Sequence, residues 1–176
     1  MGTTEFLLIR HAETEWNESG RWQGWGDPPL SPRGREQAAV LAAQIAGEAL
    51  DALLCSNLQR AVETAEAIAK RLGRAVTQDE RLRERDVGSW TGLTRAQIAE
   101  RDGELLARFE QRDDPAVCPG GGESDVALER RIRPAIKALV AQYAGRRIAV
   151  VTHLGVLRLL LPGRDFGHTE VRRVAL

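Results

Sequence analysis

Short apolar runs, set between longer stretches of helical spacing, constrain this chain more than any other feature. Phe6-Leu7-Leu8-Ile9 reads as a buried parallel strand, and Ile148-Ala149-Val150-Val151-Thr152 is the clearest strand in the sequence. Leu53-Leu54-Cys55 adds another, Ala75-Val76-Thr77 a shorter one, and residues 171–176 an edge strand. Ser31-Pro32 is an N-cap and first-turn pair, followed by an apolar stripe of Ala38, Leu41, Ala42 and Ile45. A helix over 58–72 turns Ala61, Ala65, Ile68 and Leu72 inward and stops at Gly73. Thr94 and Gln97 fit a capping box that opens a helix running to about Arg112. After a Pro/Gly loop over 113–122, Ser124 or Asp125 starts a long helix to Tyr143, with Gly145 as its stop. Residues 156–161 begin a last helix that Pro162 ends. This alternation predicts an α/β fold, a three-layer α/β/α sandwich around a mostly parallel central sheet. A length of 176 residues fits one domain over 1–176.

Charge narrows the partners. With 25 basic and 25 acidic side chains the formal net charge is zero, so no global field draws nucleic acid or an anionic membrane. Any anion site must be local. No apolar run reaches the ~20 residues of a membrane span, and the N-terminus lacks a signal-peptide layout, which gives the expectation of a soluble cytoplasmic protein. Cys55 and Cys118 lack metal-type spacing, and the expectation is two reduced thiols and no metal site.

In open α/β sheets, ligands bind beyond the carboxyl ends of the strands. The first strand ends in Arg10-His11, and the second leads into Ser56-Asn57-Leu58-Gln59-Arg60. The strongest strand ends in His153, just before Gly155 and a helix. Imidazoles, guanidiniums and helix N-termini together repel a cation and suit a phosphate, whose oxygens match guanidinium forks. One neutral imidazole is placed to attack phosphorus, while the other hydrogen-bonds the equatorial oxygens. Glu84, in Leu82-Arg83-Glu84-Arg85, is a candidate proton donor for the leaving oxygen, because a carboxyl beside a bound dianion holds its proton more tightly. Spacing alone does not single it out from the neighbouring acids. Each of these residues taken singly also has a plain structural reading, and the argument rests on their coincidence at strand ends.

Leu8-Ile9-Arg10-His11-Ala12-Glu13-Thr14-Glu15-Trp16-Asn17 resembles the opening signature of the histidine phosphatase superfamily, which includes the cofactor-dependent phosphoglycerate mutases. Further resemblances follow in the family's order. They are Trp22-Gln23-Gly24-Trp25, Ser56 to Ala65 with Arg60 at its centre, the segment around Glu84, Gly121-Gly122-Glu123-Ser124, and Val151-Thr152-His153-Leu154-Gly155. The resemblance implies a phosphoglycerate mutase-like fold with His11 as nucleophile, phosphorylated at Nε2. It implies that Arg10, Arg60 and His153 bind the phosphoryl oxygens with Asn17 close by, and that Glu84 serves as acid and then base. Gln23, Gly24, Arg85 and Leu154 then border the substrate, and no metal or other cofactor is required. Ala12 and Leu154 stand where the family commonly has glycine, and the Leu154 side chain is expected to narrow the pocket.

Mutases of the family carry a long insertion with Lys and Arg residues that covers the site. Residues 93–120 contain no lysine and no paired arginines, so water is the expected acceptor. The expected activity is therefore hydrolysis of a small phosphorylated metabolite, with phosphoglycerate mutase-type transfer as the alternative. A catalytically silent phospholigand-binding module is disfavoured, since His11, Arg10, Arg60, Glu84 and His153 are all present. Arg95, Arg101, Arg108 and Arg112 offer contacts to an acidic substrate, although this spacing more often marks a solvated helix face. An exposed edge at 171–176 permits strand-to-strand homodimers.

Overall fold

The computed structural model describes residues 2–176. Its five strands are β1 (Glu5–Arg10), β2 (Ala52–Cys55), β3 (Val76–Gln78), β4 (Arg147–Thr152) and β5 (Val171–Ala175), in the order β3-β2-β4-β1-β5. All neighbouring pairs are parallel except β1 with β5, which run antiparallel, so the sheet is mostly parallel as expected. The helices are α1 (Glu15–Glu18), α2 (Pro32–Gln44), α3 (Gln59–Leu72), α4 (Arg95–Gln111), α5 (Asp125–Gln142) and α6 (Leu154–Leu160).

Strand alternation sorts the core into two layers. Phe6, Leu8, Ile148 and Val150 face α5 and α6, meeting Leu128, Ile132, Leu139, Val156 and Leu157. Leu7, Ile9, Ala149 and Val151 face α2 and α3, meeting Leu41, Ala42, Ala61, Ala65 and Ile68. The central strands are apolar on both faces because helices cover both, which gives the three layers.

The helix boundaries follow their caps. Ser31 accepts the Gly34 N–H at 2.9 Å, and the Thr94–Gln97 box is complete in both directions. Gly73 ends α3 in the left-handed conformation (φ 63°), and Ser124 rather than Asp125 caps α5. At the start of α3, Leu58 is the cap residue and has no side-chain acceptor, so Asp27 Oδ1 takes the Gln59 N–H at 2.6 Å instead.

Some features depart from the expectation. α6 starts at Leu154, ahead of the expected 156, because His153 already has extended backbone and serves as the cap. The loop over 113–122 holds a 3-10 turn at Pro119–Gly121. α4 kinks at Asp102 (φ −134°, ψ 38°), whose carboxylate accepts from Trp90 Nε1 at 2.7 Å and Arg101 Nε at 3.0 Å. The α1 turn is closed by a second capping box, between Thr14 and Asn17. Cys55 is buried and Cys118 exposed, both unpaired. Among the described residues, no helix is long and apolar enough to cross a membrane.

Candidate active site

The carboxyl ends of β1 and β4 lie side by side in register, with Arg10 opposite Thr152. The ladder extends one step further, as the His11 N–H donates to the Thr152 carbonyl at 3.0 Å. His11 and His153 therefore leave adjacent strands at the same level, and their ring centroids lie 5.2 Å apart. Both are buried, at 3% and 0% exposure.

His11 Nδ1 lies 2.7 Å from the Ala12 carbonyl oxygen. A carbonyl only accepts, so Nδ1 carries the proton and Nε2 keeps its lone pair. Burial, then the nearby Arg60 and Arg10 guanidiniums, hold the His11 pKa well below the ordinary histidine value. A neutral imidazole with a lone pair on Nε2 is the nucleophilic form. His153 is kept neutral in the same way, by burial and then by Arg60 and His11, and neither of its ring nitrogens has a partner among the described residues.

Arg60, in the first turn of α3, is 1% exposed, and burial lowers its pKa to about 10. Its Nη1 and Nη2 donate to the carbonyls of Gly26 and Gly24, each at 2.8 Å. Gly24 has φ 49°, and a Cβ there would lie 2.6 Å from a Val87 methyl, so the loop approaches this closely only as glycine. Arg10 Nη1 donates to the Phe166 carbonyl at 2.6 Å. The Nε of both arginines and Gln23 Oε1 are buried without partners among the described residues. Unpaired buried polar atoms cost ~1–3 kcal/mol each, so a cluster of them marks a place shaped for a polar guest.

Glu84 closes the opposite side. Its carboxylate accepts the Arg85 N–H at 2.7 Å and the Gly155 N–H at 3.1 and 3.2 Å. A Cβ on Gly155 would sit 2.2 Å from Glu84 Oε1. Together these groups line a cavity of about 320 Å³. Of the candidate site residues, Arg10, His11, Asn17, Gln23, Gly24, Arg60, Glu84, Arg85 and Leu154 line it. His153 is not among the lining residues but lies fully buried beside His11, both of its ring nitrogens without a partner among the described residues. Asn17 spends its Oδ1 on the Thr14 cap, which leaves its NH₂ for the cavity. Arg85 is buried, paired with Asp125 and placed over the Phe109 ring at 5.5 Å. Ala12, at the unusual position after His11, is fully buried against Leu30 and Ala38.

Other residues that were not among the candidate site residues also reach the site. Arg21, Trp22, Phe109, Arg112 and Arg158 line the cavity. Arg112 was read with a solvated face, but it caps α4 with φ 56° and lies over Phe109 at 5.9 Å, whereas Arg95, Arg101 and Arg108 pair with acids outside. The third imidazole, His168, lies 5.9 Å from His11, with burial lowering its pKa to about 4. Its signal was topological: β5 pairs with β1, which brings the residues before β5 beside His11. Among the described residues no group of three or more His, Cys, Asp or Glu side chains is arranged to hold a metal ion.

Residues 6–169 match the sequence model described as the histidine phosphatase superfamily, branch 1. The chain belongs to the histidine phosphatase superfamily. Among similar members of the superfamily, a bifunctional protein of Mycobacterium tuberculosis is 39% identical over 159 residues. That match takes in 90% of this chain but only 43% of the relative, so the chain spans less than half of that protein's length. The glucosyl-3-phosphoglycerate phosphatase of M. tuberculosis is 39% identical over 170 residues, covering 91% of this chain and 74% of that protein. A solved structure of the mycobacterial glucosyl-3-phosphoglycerate phosphatase in complex with VO3 superposes with a TM-score of 0.87 at 32% identity, covering 96% of this chain and 90% of that one. The metal-independent phosphoserine phosphatase of Arabidopsis thaliana is 38% identical over 159 residues, covering 89% of this chain and 67% of that protein.

Proposed function

We propose that the chain hydrolyses small phosphomonoesters through a phosphohistidine on His11, without a metal. The observation that carries this reading is the setting of His11: burial and nearby guanidiniums disfavour its charged form, and Nδ1 donates to the Ala12 carbonyl, which leaves the Nε2 lone pair for phosphorus. Nε2 attacks, the P–O bond to the leaving group breaks, and Glu84 gives that oxygen its proton. Arg10, Arg60 and His153 take the charge on the equatorial oxygens, the role a metal fills elsewhere. Glu84, now ionised, takes a proton from water as the water attacks the phosphohistidine. Phosphate and free His11 result. The phosphatase names of the mycobacterial and Arabidopsis relatives support hydrolysis. Between β3 and α5, residues 93–120 bring only Phe109 and Arg112 to the cavity and carry no lysine, which favours water over a second substrate hydroxyl as acceptor.

The test is hydrolysis of p-nitrophenyl phosphate in excess EDTA by the wild type and by His11→Ala. Turnover that His11→Ala abolishes is the expected result. A folded wild type without turnover moves the reading to phosphoglycerate mutase-type transfer, assayed with phosphoglycerates and a bisphosphate primer.

A further inference from the structure

The segment that carries Glu84 belongs to neither the sheet nor a long helix, yet its backbone is held by side chains from three directions. Four successive carbonyls, those of residues 81–84, each accept a side-chain hydrogen bond. Arg131 Nη1 donates to the carbonyls of Arg81 at 2.8 Å and Arg83 at 2.9 Å. Its Nη2 donates to the Glu84 carbonyl at 3.1 Å. Thr152 Oγ1, at the end of β4, donates to the Leu82 carbonyl at 2.9 Å. Trp25 Nε1 adds a second donor to the Glu84 carbonyl at 2.8 Å.

The Arg131 guanidinium is itself fixed. Its Nε and Nη2 fork onto the Glu123 carboxylate at 2.9 and 2.6 Å. Glu123 in turn accepts the Asp86 N–H at 3.1 Å and donates its own N–H to the Asp86 carbonyl at 2.8 Å. The pair is 19% and 18% exposed, so it is shielded from water and held in one geometry. All five guanidinium hydrogens have a use, and three of these contacts hold carbonyls at or just before the proposed acid.

We propose that Arg131 is a positioning residue for proton transfer by Glu84, with Trp25 as its auxiliary. The proposal rests on reading Glu84 as the acid of a phosphohistidine phosphatase. Arg131 touches neither the cavity nor the phosphoryl group, and it acts by setting where the Glu84 carboxyl stands relative to the leaving oxygen. Lysine cannot replace it, because one ammonium does not span a fork and three carbonyls.

A misplaced acid has a signature that a loosened fold lacks. Nitrophenolate leaves without a proton, whereas an alkoxide needs one. The experiment compares kcat/KM for p-nitrophenyl phosphate and for glycerol 2-phosphate in the wild type, Arg131→Lys, Trp25→Phe and Glu84→Gln. For Arg131→Lys the expected loss is about 10- to 100-fold on glycerol 2-phosphate and less than about threefold on p-nitrophenyl phosphate. Trp25 is 40% exposed, so Trp25→Phe leaves the core intact; it is expected to show the same preference at smaller size and decides the matter if Arg131→Lys does not fold. Equal losses on both substrates, or none, in the folded variants overturn the proposal. Glu84→Gln reports on the underlying reading separately. A loss of about 100-fold or more confined to glycerol 2-phosphate supports it. A loss that ignores the leaving group removes Glu84 as the acid, and the role of Arg131 falls with it.

Discussion

The backbone N–H of Gly155 points at both carboxylate oxygens of Glu84, at 3.1 and 3.2 Å, although 71 positions separate the two residues in the chain. The contact joins the first turn of α6 to the loop that carries the proposed acid, and it exists only because residue 155 has no side chain. A Cβ there would meet Oε1 at 2.2 Å.

Gly155→Ala is therefore expected to separate stability from activity. Alanine favours a helix over glycine by about 1 kcal/mol, and the obstacle is the movable end of a side chain rather than backbone. The melting temperature should hold or rise, while kcat/KM on an alkyl phosphate falls about 10- to 100-fold as Glu84 is displaced. Full activity in Gly155→Ala would show that the position of Glu84 seen here is not the working one.

Gly34→Ala should behave in the opposite way. A Cβ at Gly34 would lie 1.9 Å from the Glu13 carbonyl oxygen, and that obstacle is backbone. Ser31 holds the same junction, since its N–H donates to that carbonyl at 3.0 Å and its hydroxyl to Glu13 Oε1 at 3.0 Å. α2 is thus seated on the residues just after His11. The substitution is expected to cost about 3 kcal/mol or more despite alanine's helix preference, read from urea unfolding.

Acid should weaken the fold before it reaches the carboxylate range. His11, His153 and His168 all bind protons less readily folded than unfolded, chiefly because of burial, and His168 is lowered to about 4. Unfolding then takes up protons, so stability is full above the ordinary histidine range and drains as pH falls from about 6.5 toward 4. Urea unfolding at pH 7.5 and 5.0 should differ by at least about 2 kcal/mol, and His168→Asn should flatten part of the slope. A midpoint unchanged between those values would mean that the three imidazoles titrate normally in the folded chain.

Much of this arrangement was legible because strands and caps speak through local chemistry. An apolar run such as Ile148-Ala149-Val150-Val151 has one comfortable fate between two helical layers, and whatever follows it stands at the sheet's carboxyl edge. Strand ends drew out Arg10, His11, Arg60 and His153 as candidates in that way, and the family's motifs singled out Glu84 from the acids beside it. Arg112 was not readable, since its spacing matches the solvated arginines beside it, and only the turn of the chain at the end of α4 brings it over Phe109. At the kink, the Asp102 carboxylate accepts from Trp90 twelve positions earlier, a contact no spacing encodes. Arg131 looked like any charged helix residue, because carbonyls of an irregular loop leave no mark in sequence.

The register of β1 against β4 has an evolutionary consequence. Because Arg10 stands opposite Thr152, the separation of the two imidazoles that follow is an interstrand spacing, common to every parallel sheet. Mutation has no gradual way to retune it. The outer wall, with Phe109 and Arg112 at the end of α4, hangs on loops that change length and composition cheaply. Such a protein changes its rim by drift, while the pair of imidazoles is inherited as a fixed dimension of the sheet.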